Sequence, residues 1–254
     1  MIDILQWTTL GVCALLAVFR IPSALRGENR LMFGIFLLMT LAILLSMEAP
    51  YVTVDQALGG TNIANLALRF VIFGVILLIG LRVARGFGAG RALSWIAGKP
   101  GVTALAMACA AVVVTFLLMD TQGSSAGLKA IAAKDARNAA LVEVYGAFGR
   151  LYPCYIAVVL LPTMIRTVRS RLPALIRLAA VFLSLGAVGL VLSLSSPVIP
   201  PGMGFIRFIV NYTAVLCYVL GLAAVWADKL RAQARRRNPL PSSESSPSPR
   251  NEAS

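Results

Sequence analysis

AALVEVYGAFGRLYPCYIAVVLLPTMI, residues 139–165, is apolar along most of its length yet carries Glu143 and Arg150 inside it. A helix crossing the roughly 30 Å hydrocarbon core of a bilayer needs about 20 mostly apolar residues, and this stretch satisfies that length. Its two charges stand two helical turns apart, so they project from one face. Six further runs share its character: 4–19, 31–47, 64–81, 102–119, 175–194 and 205–226. The first two are short and are expected to extend into their flanks. Arginine closes several runs, Arg20 the first, Arg82 the third and Arg166 the fifth. The reading is an all-α fold, a seven-helix transmembrane bundle over 1–230 followed by a tail over 231–254.

Composition supports it. The chain is 59% hydrophobic and 13% charged, with a mean hydropathy of +0.84, whereas a soluble domain averages about 25% charged residues. A net charge of +13 does not point to nucleic acid, because the basic residues fall in short runs between apolar stretches.

Those short runs set the orientation. Segments 20–30, 82–99, 166–177 and the tail hold 17 of the 23 basic residues. The alternate segments (the N-terminus, 48–63, 120–138 and 195–204) hold only Lys129, Lys134 and Arg137. Basic residues accumulate on the cytoplasmic side, which places the N-terminus outside and the C-terminus in the cytoplasm. MIDILQW has an acidic start and no basic n-region, so the first helix is expected to stay as an anchor. The run ADKLRAQARRR is expected to continue helix seven into the cytoplasm, where it reads either as a flank that sets the topology or as a site for anionic lipid headgroups at the cytoplasmic face. Beyond it NPLPSSESSPSPRNEAS has almost nothing to bury and is expected to be disordered.

Three arginines remain: Arg69, Arg150 and Arg207, all in the outer part of odd-numbered helices. A charge near the bilayer centre costs about 2.5–3.5 kcal/mol on insertion scales, so these groups should face protein or water. Glu48, Asp55, Asp120 and Glu143 are acids at the same level. The candidate outer pocket is Arg69, Glu143, Arg150, Tyr152, Arg207 and Asn211, with Tyr145 and Tyr212 nearby in sequence. Pro153 and Pro162 are expected to bend helix five. Two readings stay open: arginines that snorkel or pair structurally, and arginines that bind an anionic solute or headgroup from outside.

Several chemistries fall away. The chain has no histidine, which removes His-ligated metals, triads and His proton relays. Cys13, Cys109, Cys154 and Cys217 lie in apolar runs without C-x-x-C spacing, and read as small buried residues. No lysine lies inside a span to anchor a Schiff base, and Glu143 is the only carboxylate clearly within one. GFGAGR, residues 86–91, follows a membrane helix, lacks the GK[ST] ending of a phosphate loop, and reads as a turn.

The stretch APYVTVDQALGGTNIANLALRF, 49–70, resembles a family of actinobacterial seven-helix membrane proteins labelled as transporters. The matching residues are Pro50, Asp55, Leu58, Gly59, Asn62, Ala64 and Leu66, with one extra residue between Gly59 and Asn62. A second match is RTVRSRLPALIRLAAVFLSLGAVGL, with Arg177 and Gly186. The resemblance covers about residues 5–235. Many members carry a cytosolic domain after helix seven, which is not expected in the residues 231–254 that follow it here.

The expected function is that of a multi-pass cytoplasmic-membrane protein with an outward-facing polar pocket for a small anionic ligand. It serves as a solute transporter or as a ligand-sensing membrane component. The alternative is a non-catalytic scaffold that recruits a cytosolic protein partner through its basic loops. No enzymatic activity, cofactor or metal is expected, for want of acid-base and ligating groups.

Overall fold

Apolar length decides the long helices, and glycine decides where two of them stop. In a computed structural model that describes residues 2–27, 30–194 and seven isolated positions between 213 and 228, the chain forms α1 (Ile2–Leu25), α2 (Arg30–Leu44), α3 (Glu48–Ala57), α4 (Ile63–Gly86) and α5 (Gly90–Ala97), then α6 (Lys99–Leu118), a 3₁₀ turn (Ala126–Leu128), α7 (Lys129–Ala132), α8 (Ala136–Val168) and α9 (Ala174–Leu192). Among the described residues there is no strand. Helices α4, α6, α8 and α9 are long and apolar enough to cross a membrane, and α2 with α3 makes a fifth if that pair, bent by 91°, is one span. In α1 the apolar stretch Leu10–Pro22 is shorter. The expected seventh span, 205–226, and the tail lie outside the described residues. The exceptions are positions such as Cys217 and Gly221, which are helical.

Three segments expected as loops contain helices. Within 48–63, α3 turns sharply away from α2. Pro50 sits in its first turn, where the missing N–H would have had no helical acceptor, and Glu48 suits the positive end of the dipole. Its exit is a left-handed cap: Gly59 has φ +103°, Gly60 N–H donates to Asp55 O at 2.8 Å, and Gly59 N–H to Gln56 O at 3.1 Å. Helix α4 ends the same way. Gly88 has φ +62°, and Ala89 N–H donates to Ala84 O at 2.8 Å. The turn that GFGAGR suggests is therefore only residues 87–89, because α4 ends at Gly86 and α5 already begins at Gly90. Segment 120–138 holds the 3₁₀ turn and α7.

Helix α8 is continuous from Ala136 to Val168 with Pro153 and Pro162 inside it. At 1.5 Å per residue it is about 50 Å long, well beyond a bilayer core. It packs along α9, α6 and α4, while α2 lies against α1 and α4. The main core runs the length of this bundle. Met119, Leu128 and Ile131 fill the end near Asp55; Val112 and Phe73 occupy the middle; Val83, Ile96, Leu160 and Met164 fill the end near Arg82. These are called the Asp55 end and the Arg82 end below.

Candidate functional site

At the Asp55 end three of the residues that carry the family resemblance, Asp55, Asn62 and Ala64, converge on a buried clasp. Asp55 is 0% exposed. Its Oδ2 accepts from Asn62 N–H at 3.0 Å and from the Ser124 hydroxyl at 2.5 Å; its Oδ1 accepts from Ala64 N–H at 3.1 Å. The carboxylate thus supplies from α3 what the start of α4 lacks, an acceptor for the unpaired N–H groups of its first turn. Asn62 is also 0% exposed and holds a left-handed φ of 57°. Its Oδ1 accepts from the Tyr51 hydroxyl at 2.7 Å and from Ser125 N–H at 3.1 Å. Its Nδ2 donates to Thr121 O at 3.0 Å and Gly123 O at 2.7 Å. One side chain therefore ties α3 to the loop after α6.

The other acids of this end are engaged in the same manner. Glu48 Oε1 accepts from Ala126 N–H at 3.3 Å. Asp120 pairs with Lys134 Nζ at 2.9 Å, and that ammonium holds its carboxyl below the usual range. Asp135 caps α8 by accepting from Asn138 N–H at 2.7 Å, and this bond holds its carboxyl low too. Three of the four acids considered as partners for the membrane arginines thus act on backbone or loop groups. Nothing in their sequence spacing announces this, because the donors to Asp55 include one 69 residues away.

Helix α8 distributes the expected pocket residues over two faces. Tyr145, Gly149, Tyr152 and Ile156 form the face towards α4 and α6. Arg69 lies 5.1 Å above the Tyr145 ring and so close to Gly149 that a Cβ there would stand 2.7 Å from its Nη1. Tyr145 donates to Asn65 O at 3.3 Å. Tyr152 packs edge-on to Phe73 at 5.7 Å and stacks on Tyr155 at 6.2 Å. The buried Tyr152 hydroxyl and Asn65 Oδ1 have no hydrogen-bond partner among the described residues. Glu143 and Arg150 occupy the opposite face, which also carries Cys154, whose thiol donates to Leu190 O of α9 at 3.2 Å. Both are half-buried, and each is engaged by its surroundings.

The expected pocket is therefore divided: Arg69 and Tyr152 sit within the α4–α6–α8 core, and Glu143 and Arg150 lie on the α9 side. The Arg69–Gly149 contact nonetheless puts Arg69 and Arg150 at one level. Arg207 and Asn211 lie outside the described residues. Gly221 does sit against α9, where a Cβ would be 2.7 Å from Leu183 Cγ. Small residues of this kind let membrane helices approach closely. Among the described residues no group of three His, Cys, Asp or Glu side chains is placed to hold a metal.

No protein-family model, curated protein or solved structure matches the chain. Its class follows from the helices alone. It is an all-helical chain with four to five apolar helices long enough to span a bilayer, compatible with a multi-pass membrane protein.

Proposed function

We propose that this is a seven-helix component of the cytoplasmic membrane, N-terminus outside and C-terminus in the cytoplasm, that senses a small anionic ligand and catalyses no reaction. The Asp55 end then faces outward. The ligand contacts fall to the α9-facing strip of α8, Glu143 and Arg150; Arg207 and Asn211, expected from the sequence to join them, lie outside the described residues. Membership of the actinobacterial family belongs to the same proposal.

The observation that carries sensing over transport is the apolar core. Transport requires a path that opens on both sides. Beyond the level of Arg150 the strip that carries Glu143 and Arg150 continues as Cys154, Ala157 and Leu161, and α8 has no charged side chain until Arg166. A ligand held at the outer half meets packed hydrocarbon below it. The scaffold reading is supported by a different feature, the exposed Arg30, Arg85, Arg91 and Lys99 at the Arg82 end, and it coexists with sensing as the output side.

Cysteine scanning along α8 in a background free of native cysteines tests this. Positions 143, 147 and 150 should react with a membrane-impermeant maleimide from outside, and 157, 161 and 164 should stay unreactive from either side. Continuous reactivity along the strip, with access from both faces, would establish a transport path and overturn the sensing reading.

A further inference from the structure

We propose a second binding site, at the Arg82 end, that takes a phosphoryl group. An open cleft of about 350 Å³ lies between the start of α2 and the end of α4, lined by Arg30, Leu31 and Met32 from one helix and Arg82 and Arg85 from the other. Arg82 is half-buried; Arg30 and Arg85 are exposed. Arg30 uses Nε to donate to Ala24 O at 3.4 Å, which leaves its terminal nitrogens for the cleft. Among the described residues no carboxylate stands at ion-pair distance from any of the three.

Topology alone does not require this convergence. Arginines that only mark the cytoplasmic side repel one another and splay into water, as Arg91 and Lys99 do on the same face of the molecule. Here guanidinium groups from two helices line one concavity, and none can shed its charge, since arginine stays protonated in proteins. A carboxylate satisfies one guanidinium fork. A phosphoryl group carries enough oxygens to engage several arginines at once, with paired hydrogen bonds. Leu31 and Met32 line the same cleft and suit the glycerol and first methylenes of a lipid. Basic pockets between membrane helices on the cytoplasmic side take lipid headgroups in this way. The chemistry the cleft recognises is thus the phosphoryl group, carried by a phospholipid or free in the cytosol. Its assignment to the inner leaflet rests on the orientation proposed above; the recognition itself does not.

Native mass spectrometry of the purified full-length protein tests it, with phosphatidylglycerol against diacylglycerol, which lacks the phosphoryl group, as the lipid arm and inorganic phosphate as the soluble arm. The expected result is preferential retention of phosphatidylglycerol, weakened about tenfold in Arg82→Gln/Arg85→Gln, the scale of one lost charge-assisted pair. Arg91→Gln/Lys99→Gln, which removes the same charge outside the cleft, should stay within about twofold of wild type. If inorganic phosphate binds with the same dependence and the lipid does not, the phosphoryl site stands and its source is soluble. Equal loss in both double variants, or no phosphoryl preference in either arm, overturns the proposal. Should Arg82→Gln/Arg85→Gln fail to fold, Arg82→Lys/Arg85→Lys keeps the charge and removes the fork; unchanged retention in that variant also counts against the site. Accessibility labelling at position 90 reports the leaflet separately, so an inverted orientation changes the side and leaves the binding result intact.

Discussion

The two ends of the bundle use charge in opposite ways. At the Asp55 end Glu48, Asp55, Asp120 and Asp135 act on a backbone N–H, a hydroxyl or a lysine, and loops distant in sequence are stitched into one lid. At the Arg82 end three arginines line an open cleft with no described carboxylate among them. Charge at the first end is consumed by the fold. Charge at the second has no acidic partner among the described residues. The difference separates structural from recognition roles better than residue type does, because charged residues at both ends look alike in the sequence.

Substitutions in the clasp should have the largest effects. Asp55→Ala strands the N–H groups of Asn62 and Ala64 and the Ser124 hydroxyl in a buried setting, at about 1–3 kcal/mol for each unsatisfied group. A loss of roughly 3–5 kcal/mol is expected by thermal unfolding in detergent. A near-wild-type midpoint would show that water reaches the carboxylate and that the lid is loose. Asn62→Ala should follow closely, since it removes four hydrogen bonds and leaves a left-handed residue without its local support.

Arg150→Leu should cost less, about 2 kcal/mol, because removal of a charge from the membrane offsets part of what its partner loses. Arg150→Lys should fold normally and weaken the response to an anionic ligand, since the ammonium lacks the paired geometry. If both variants match wild type in stability and in ligand response, the strip is a snorkelling surface and the outer site has no centre. Gly59→Ala meets no neighbour within 4 Å, so its expected cost of about 1–2 kcal/mol is backbone strain alone.

The smallest effect is a pH dependence at the Asp55 end. Asp120 and Asp135 have carboxyls held low in the fold by Lys134 and by Asn138 N–H. Their contribution is present above the unfolded carboxyl value, near pH 4, and is lost as pH falls through the lower folded value. Both are exposed, so solvent screens these contacts and the midpoint should drop only slightly over that window. Asp120→Asn should flatten part of the drop.

Membrane helices are legible in sequence because hydrocarbon thickness fixes their length. The runs at 64–81 and 139–165 lie within helices that extend past them by one to five residues, and those at 102–119 and 175–194 begin inside helices that stop one and two residues before the run does. Helix α3 is different. EAPYVTVDQA has no apolar run, and it is helical because Tyr51 and Asp55 are buried by loops that arrive much later in the chain. Its one local signal is Leu58-Gly59-Gly60, the glycine cap that ends it. Glu143 and Arg150 share a face by simple periodicity, and the structure keeps them together. The division of Tyr152 from Arg150 follows from the same periodicity, since two residues are about 200° apart on a helix. Grouping them by nearness in sequence hid that separation.

All assignments of inside and outside turn on the orientation of the two ends, and one measurement tests it most directly. Single cysteines at Gln122 and Gly90, introduced into a cysteine-free full-length chain, are exposed to a membrane-impermeant maleimide in intact cells. Residue 122 should label and residue 90 should label only after the membrane is opened. Labelling of residue 90 in intact cells, with 122 protected, would put the arginine cleft outside and the Asp55 clasp in the cytoplasm.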